Sequence, residues 1–250
     1  MKNILKSIYL LLICFCVNAQ TNKLSIGNQQ YKQIAYVDAI KTYERVAEKG
    51  FKSVELFQKL GNSYYFNGKL KEANKWYTEL FALSDTIEPE YYYRYSQTLK
   101  ANGDYDKANT FLDKFHTIVS KDIRGNIYQK QKDYRDVIAK NSGRYDIKAS
   151  GINSNVSDYG SAIYGDKLIF STARDSIGFS KTKSKWTNQP FTNLYAAKRN
   201  EDGSLEHPEH LSGVINSKLN ESTPIFTKDL KTVYFTRNNF IEGKKGYDSE

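Results

Sequence analysis

Few side chains in this sequence could do chemistry, and their spacing limits what they can do. His207-Pro208-Glu209-His210 is the only histidine cluster, and two imidazoles with a carboxylate could in principle hold zinc. The spacing matches no established zinc motif. On a strand, residues three apart point to opposite faces, and Pro208 blocks the helix that would bring them together, so the segment reads as a connecting loop. Gly160-Ser161 lacks the Gly-x-Ser-x-Gly elbow and falls on a strand, whereas a nucleophilic serine needs an exposed turn beside a base. Asn200-Glu201-Asp202-Gly203 lacks the later ligands and terminal glutamate of a calcium loop and reads as a hairpin turn. No catalytic residue, metal site or cofactor is therefore expected. One exposed cluster remains, Lys181-Thr182-Lys183-Ser184-Lys185-Trp186, where lysines flank an aromatic that could dock on anionic glycan or lipid; an ordinary surface loop is the simpler reading.

The N-terminus bears on compartment. Lys2 and Lys6 precede an apolar run from Ile8 to Val17 and the small-residue site Val17-Asn18-Ala19, the pattern of a cleaved secretory signal peptide. The run is shorter than the roughly 20 residues that span a bilayer. Cys14 and Cys16 both lie inside it, so cleavage after Ala19 leaves a mature chain without cysteine, which excludes disulfides and thiol chemistry. Bulky Ile13 before Cys14 disfavours lipoprotein processing. The mature chain keeps 35 of 37 basic residues against 28 acidic ones. Outside the cytoplasm such a surface meets acidic polymers and proteins rather than a genome, so nucleic acid is not expected as a partner. With 20 Tyr and 13 Phe beside one Met and two Trp, tyrosine fills packing positions, which suits thin architectures whose every layer is near water.

The elements come in two kinds. Ala39, Ala73 and Ala108 recur 34 and then 35 residues apart; Gly27, Gly61 and Ser96 each precede them by twelve, and Tyr43, Tyr77 and Leu112 each follow by four. This predicts helical hairpins in which a small residue on the first helix admits the alanine of the second. Asn67-Gly68 and Asn102-Gly103 are the helix-ending turns, replaced in the first copy by Ile34-Ala35-Tyr36, which suggests an irregular cap. Asp122 to Asn141 reads as one closing amphipathic helix, with Ile123, Ile127, Tyr134 and Ile138 on its apolar face. From Tyr145 the period falls to 2. Strands are predicted near 145–149, 161–164, 167–173, 194–199, 205–211, 223–227 and 232–236, with Gly165-Asp166 and Asp202-Gly203 as hairpin turns. The Phe170 hairpin returns 65 residues later at Phe235, and each copy carries an arginine, Arg174 and Arg237.

Leu60-Gly61-Asn62-Ser63-Tyr64 with Ala73 and Tyr77, and Tyr95-Ser96 with Ala108, resemble the tetratricopeptide repeat family. That resemblance implies a curved stack whose first helices bind partner proteins, at Glu55, Gln58, Asn62 and Tyr65 in the second repeat and Glu90, Tyr93, Gln97 and Lys100 in the third. Ser157-Asp158-Tyr159-Gly160-Ser161 leading into Phe170-Ser171-Thr172, and Asn220-Glu221-Ser222-Thr223-Pro224 leading into Phe235-Thr236, resemble WD-like blades of TolB-type β-propellers. The expected fold is multidomain, α then β: signal peptide 1–19, repeats 20–120, capping helix and linker 121–143, and blades of an incomplete propeller over 144–250.

The whole order is similar to the N-terminal portion of OmpA-family envelope proteins of the Bacteroidetes. That implies a non-enzymatic scaffold of the periplasm and outer membrane, tethering outer-membrane machinery of the type IX secretion or gliding kind to the envelope. Its partners would be envelope proteins, with peptidoglycan reached only through a C-terminal domain not seen here. The alternative is a fragment of an exported propeller-containing hydrolase.

Overall fold

A computed structural model describes residues 23–174, 183–238, 240–241 and 244–245. The chain divides into a helical unit ending at Arg144, to which Lys185–Thr187 also belong, and a β unit formed by Tyr145–Ser184 and the residues from Asn188 onward. The proposed signal peptide, and Lys181 and Thr182 of the basic loop, lie outside the described residues.

The helical unit is a stack of antiparallel hairpins of tetratricopeptide-like order: α1 over residues 23–32, α2 Tyr36–Glu48, α3 Val54–Phe66, α4 Leu70–Leu83, α5 Pro89–Ala101 and α6 Tyr105–Ile118, followed by α7 Ile123–Lys130 and α8 Tyr134–Asn141. Local chemistry sets the ends. Ser53 caps α3 by accepting from the Leu56 N–H at 3.1 Å, Pro89 opens α5, and Asp104 accepts from the Lys107 N–H at 3.3 Å. Gly68 and Gly103 close α3 and α5 at φ +70° and +81°. The first copy is a regular hairpin, contrary to the expected cap, because Ile34 adopts φ +60° where the later copies place those glycines. A β-branched residue is strained there.

The packing adds a partner to the inference from spacing. A Cβ built on Gly61 would lie 2.5 Å from Cε1 of the Tyr77 ring, and one on Gly27 would lie 2.5 Å from Cε1 of Tyr43. The glycine therefore makes room for the tyrosine four residues after the repeating alanine. Both rings are fully buried in the core with Ala39, Leu56, Leu60, Ala73, Leu80 and Ala108. The third repeat carries Ser96 with the smaller Leu112, both also buried, so a larger residue on one helix goes with a smaller one on the other.

The closing segment differs from expectation too. Three turn residues, 131–133, split it into α7 and α8, and Asp122 caps α7 by accepting from the Arg124 N–H at 2.8 Å. Gly125 and Tyr128 are the residues that bury, while Ile123, Ile127 and Ile138 are exposed and α8 buries nothing. The helix turns its Gly125 side to α6, where a Cβ would lie 3.1 Å from Nδ1 of His116.

The β unit holds a four-stranded antiparallel sheet in the order β1 Asp158–Tyr164, β2 Lys167–Thr172, β3 Asn193–Lys198, β4 Glu209–His210. A hairpin of β5 Glu221–Phe226 and β6 Val233–Arg237 follows, then the short pair β7 Phe240–Ile241 and β8 Lys244–Lys245. Phe170, Tyr195 and Ala197 form its core. Residues 145–149 form no strand, and the predicted 205–211 strand shrinks to the bridge of Leu205 with Arg199 and the two residues of β4. β5 lies against β1 and β2: the Thr223 N–H donates to Ser171 Oγ at 3.1 Å, and a Cβ on Gly160 would sit 3.2 Å from Thr223 Cα.

The two hairpins share one electrostatic lock. Asp158 accepts from the Ser154 N–H and hydroxyl at 2.6 and 2.8 Å and from Arg174 at 3.2 Å, and Arg174 also donates to the Ile152 carbonyl. Glu221 likewise accepts from the Ser217 hydroxyl and from Arg237 Nε at 2.8 Å, and Arg237 donates to the Ile215 carbonyl. Each member lies 63 residues after its counterpart, and both first strands bulge at a residue of positive φ, Gly160 and Thr223. On the second strands the ladder offset is 65, as Ala162 pairs with Ile169 and Ile225 with Tyr234. The longer turn before β6 supplies the two extra residues.

Candidate protein-binding face

The first helices of the repeats, α1, α3 and α5, lie side by side and continue into α7, as the contacts between them show. The Asn28 amide donates to Glu55 at 3.0 Å, Gln58 to Glu88, and Arg124 donates to Glu90 at 2.8 and 3.2 Å. All eight positions implied by the tetratricopeptide resemblance fall on α3 and α5, and the structure sorts them into two roles.

Asn62 belongs to the framework and is only 4% exposed. Its amide donates to the hydroxyls of Tyr31 and Tyr91 at 3.1 and 3.2 Å, and its carbonyl accepts from the Tyr77 hydroxyl at 2.8 Å and Arg94 Nη1 at 2.7 Å. Asn28 repeats the arrangement one copy earlier, accepting from the Tyr43 hydroxyl at 2.8 Å. Glu90 is also committed, bridging Arg94 Nε at 3.1 Å to Arg124. Burial works to raise its pKa, but the two guanidinium groups outweigh that and hold it below the ordinary glutamate value.

The other positions are more open. Glu55 is exposed and paired with Lys59; Gln58, Tyr65, Tyr93, Gln97 and Lys100 are partly buried. Tyr93, Gln97 and Lys100 form one stripe of α5. Arg94 and Arg124, outside those eight positions, organise the face. The Arg94 guanidinium lies 4.9 Å from the Phe66 ring and 5.8 Å from those of Tyr65 and Tyr91, while Arg124 lies 4.3 Å from the Tyr93 ring. Lys59, paired with Glu55, is the counterpart of Arg94 one copy earlier, whereas Arg124 has none at the repeat period. Lys100 places its ammonium 4.3 Å from the Tyr134 ring, and burial lowers its pKa.

Trp186 of the basic loop belongs to the helical unit, where its indole N–H donates to the Phe66 carbonyl at 3.0 Å. His210 lies on β4 edge-on to Tyr195, and no group of three potential metal ligands occurs among the described residues. No helix among them is long and apolar enough to cross a membrane.

Compared with protein families and with curated proteins, the chain matches none. Solved structures similar to it include PcrH in complex with the chaperone binding region of PopB, at 20% identity over 42% of this chain and 84% of that one, with a TM-score of 0.35. The TPR domain of Arabidopsis FLU is 21% identical over 41% and 96% of the two chains, with a TM-score of 0.35. The Yersinia enterocolitica type III secretion translocator chaperone SycD is 17% identical over 52% and 94%, also with a TM-score of 0.35. Likenesses this low bear no functional weight, and the helical-repeat assignment stands on the period and on the packing of Gly27 on Tyr43 and Gly61 on Tyr77.

Proposed function

We propose that this chain is a non-enzymatic scaffold of a bacterial envelope that holds an extended segment of a partner protein on the α3–α5 face. Its β unit would supply TolB-like propeller blades, and its role would be to tether outer-membrane machinery, of the type IX secretion or gliding kind, to the envelope. The observation that carries the binding reading is the division of labour on that face. Asn62, Arg94 and Glu90 satisfy one another internally and Gln58 ties α3 to the start of α5 through Glu88, so the helices are held together, while Gln97 and Lys100 keep partly open polar ends on the Tyr93 stripe of α5. A prearranged row of this kind loses little entropy when a peptide adds to it. The signal-like N-terminus supports export, and the basic mature charge suits acidic partners.

The test is affinity capture from envelope extracts with the intact protein and a Gln58→Arg/Gln97→Arg variant whose circular dichroism matches it. Loss of the captured proteins is expected. Equal recovery by both would remove the face from consideration.

A further inference from the structure

We propose that the cavity between α5 and the closing helices takes an acidic side chain of the bound peptide, with Lys100 as its charge partner; this rests on the binding reading above. The cavity, about 210 Å³, is lined by Tyr93, Gln97 and Lys100 from one stripe of α5 and by Arg124, Tyr128 and Tyr134 from the closing segment. It therefore continues the open stripe of the face.

The charges around it are unequally used. Arg124 donates to both Glu90 and Asp122, and Arg94 to Glu90 and Asn62, so the two guanidinium groups are matched by two carboxylates and an amide. Lys100 has no hydrogen bond or ion pair among the described residues; its contact is the face of the Tyr134 ring. Ring contact leaves the ammonium N–H donors without acceptors, and partial burial removes water that would otherwise serve them. A carboxylate entering the cavity supplies both the missing acceptor and the missing charge, whereas an amide or hydroxyl supplies only the first. Nearby Gln97 and the Tyr93 hydroxyl can share its second oxygen, the Tyr128 and Tyr134 hydroxyls being given to Asn109.

A displayed random-peptide library selected on the full chain, and on Lys100→Met and Lys100→Arg variants with unchanged circular dichroism, tests this. Peptides from the wild type and Lys100→Arg should carry Asp or Glu at a fixed register, and those from Lys100→Met should not. A selected peptide, synthesised with an amidated C-terminus, should bind the wild type about tenfold more weakly after its Glu→Gln change, and the same change should not matter to Lys100→Met. Enriched peptides without an acidic preference, or a preference that survives in Lys100→Met, would overturn the assignment to Lys100 while leaving the face intact. Failure of any peptide to enrich on the wild type would overturn the binding face itself.

Discussion

The contact between Gly61 and Tyr77 allows a sharp stability test. In an exposed helix interior, replacing glycine by alanine stabilises by about 1 kcal/mol. At Gly61 the added methyl would lie 2.5 Å from Cε1 and 2.6 Å from Cδ1 of a ring that is itself fully buried and whose hydroxyl is tied to Asn62 at 2.8 Å. The ring cannot swing away without breaking that bond, so overpacking costs about 1–3 kcal/mol. Gly61→Ala should therefore lower stability by about 1 kcal/mol net, the reverse of what propensity gives. The assay is urea unfolding of the full chain followed by far-UV circular dichroism, comparing wild type, Gly61→Ala, Tyr77→Leu and the double variant. In the Tyr77→Leu background the alanine should no longer destabilise, because that pair approximates Ser96 with Leu112 of the third repeat. A Gly61→Ala protein as stable as the wild type, or a double variant showing no coupling between the two sites, would refute the packing account.

Ile34→Gly should stabilise by about 1 kcal/mol, since Ile34 is 41% exposed yet held at φ +60°; an unchanged or lower urea midpoint would count against strain at that turn. Asn62→Ala should cost about 3 kcal/mol by leaving the buried Tyr77 hydroxyl and the Arg94 guanidinium short of an acceptor, read from the same unfolding curves. Acid should loosen the docking of α7. The Glu90 pKa is depressed in the folded state, so its contribution is complete above the ordinary value of 4.5 and is lost as pH falls through the lower folded value. Hydrogen exchange in α7 should accelerate over that window in the wild type and less so in the Glu90→Gln variant, where the Asp122 cap alone still titrates. In the β unit, Arg237→Met strands the fully buried Glu221 carboxylate and should cost about 3 kcal/mol, visible as faster proteolysis within β5 and β6, while Lys198→Met at an exposed pair should leave it unchanged.

What could be read from the sequence was the recurrence; what could not was the direction in which side chains point. Thirty-four-residue spacing marks Gly27 and Gly61, but it does not say that the tyrosine ring packs on them. The signal was present in the third copy, where serine replaces glycine in the same repeat in which leucine replaces tyrosine. Of the eight face residues, Asn62 turned out to be framework, and its recurrence with Tyr77 as Asn28 with Tyr43 could have marked it as a tertiary hydrogen bond. Arg94 could have been found through Lys59, which pairs with Glu55 one copy earlier as Arg94 does with Glu90; Arg124 does not recur, so nothing periodic pointed to it. The break between α7 and α8 falls at Gln131-Lys132-Asp133, without glycine or proline to announce it. The β hairpins were legible through alternation and the Gly165-Asp166 turn, whereas 145–149 alternates without a neighbouring strand to pair with.

The lock at Asp158 and Glu221 has a consequence for how such a unit can change over generations. Its serine, acid, arginine and carbonyl all come from one hairpin and the loop leading into it, so the charge of each copy is neutralised at home. Duplicating or deleting one hairpin would then strand no ion in its neighbours, and selection could adjust their number while tuning only the apolar faces where successive copies meet.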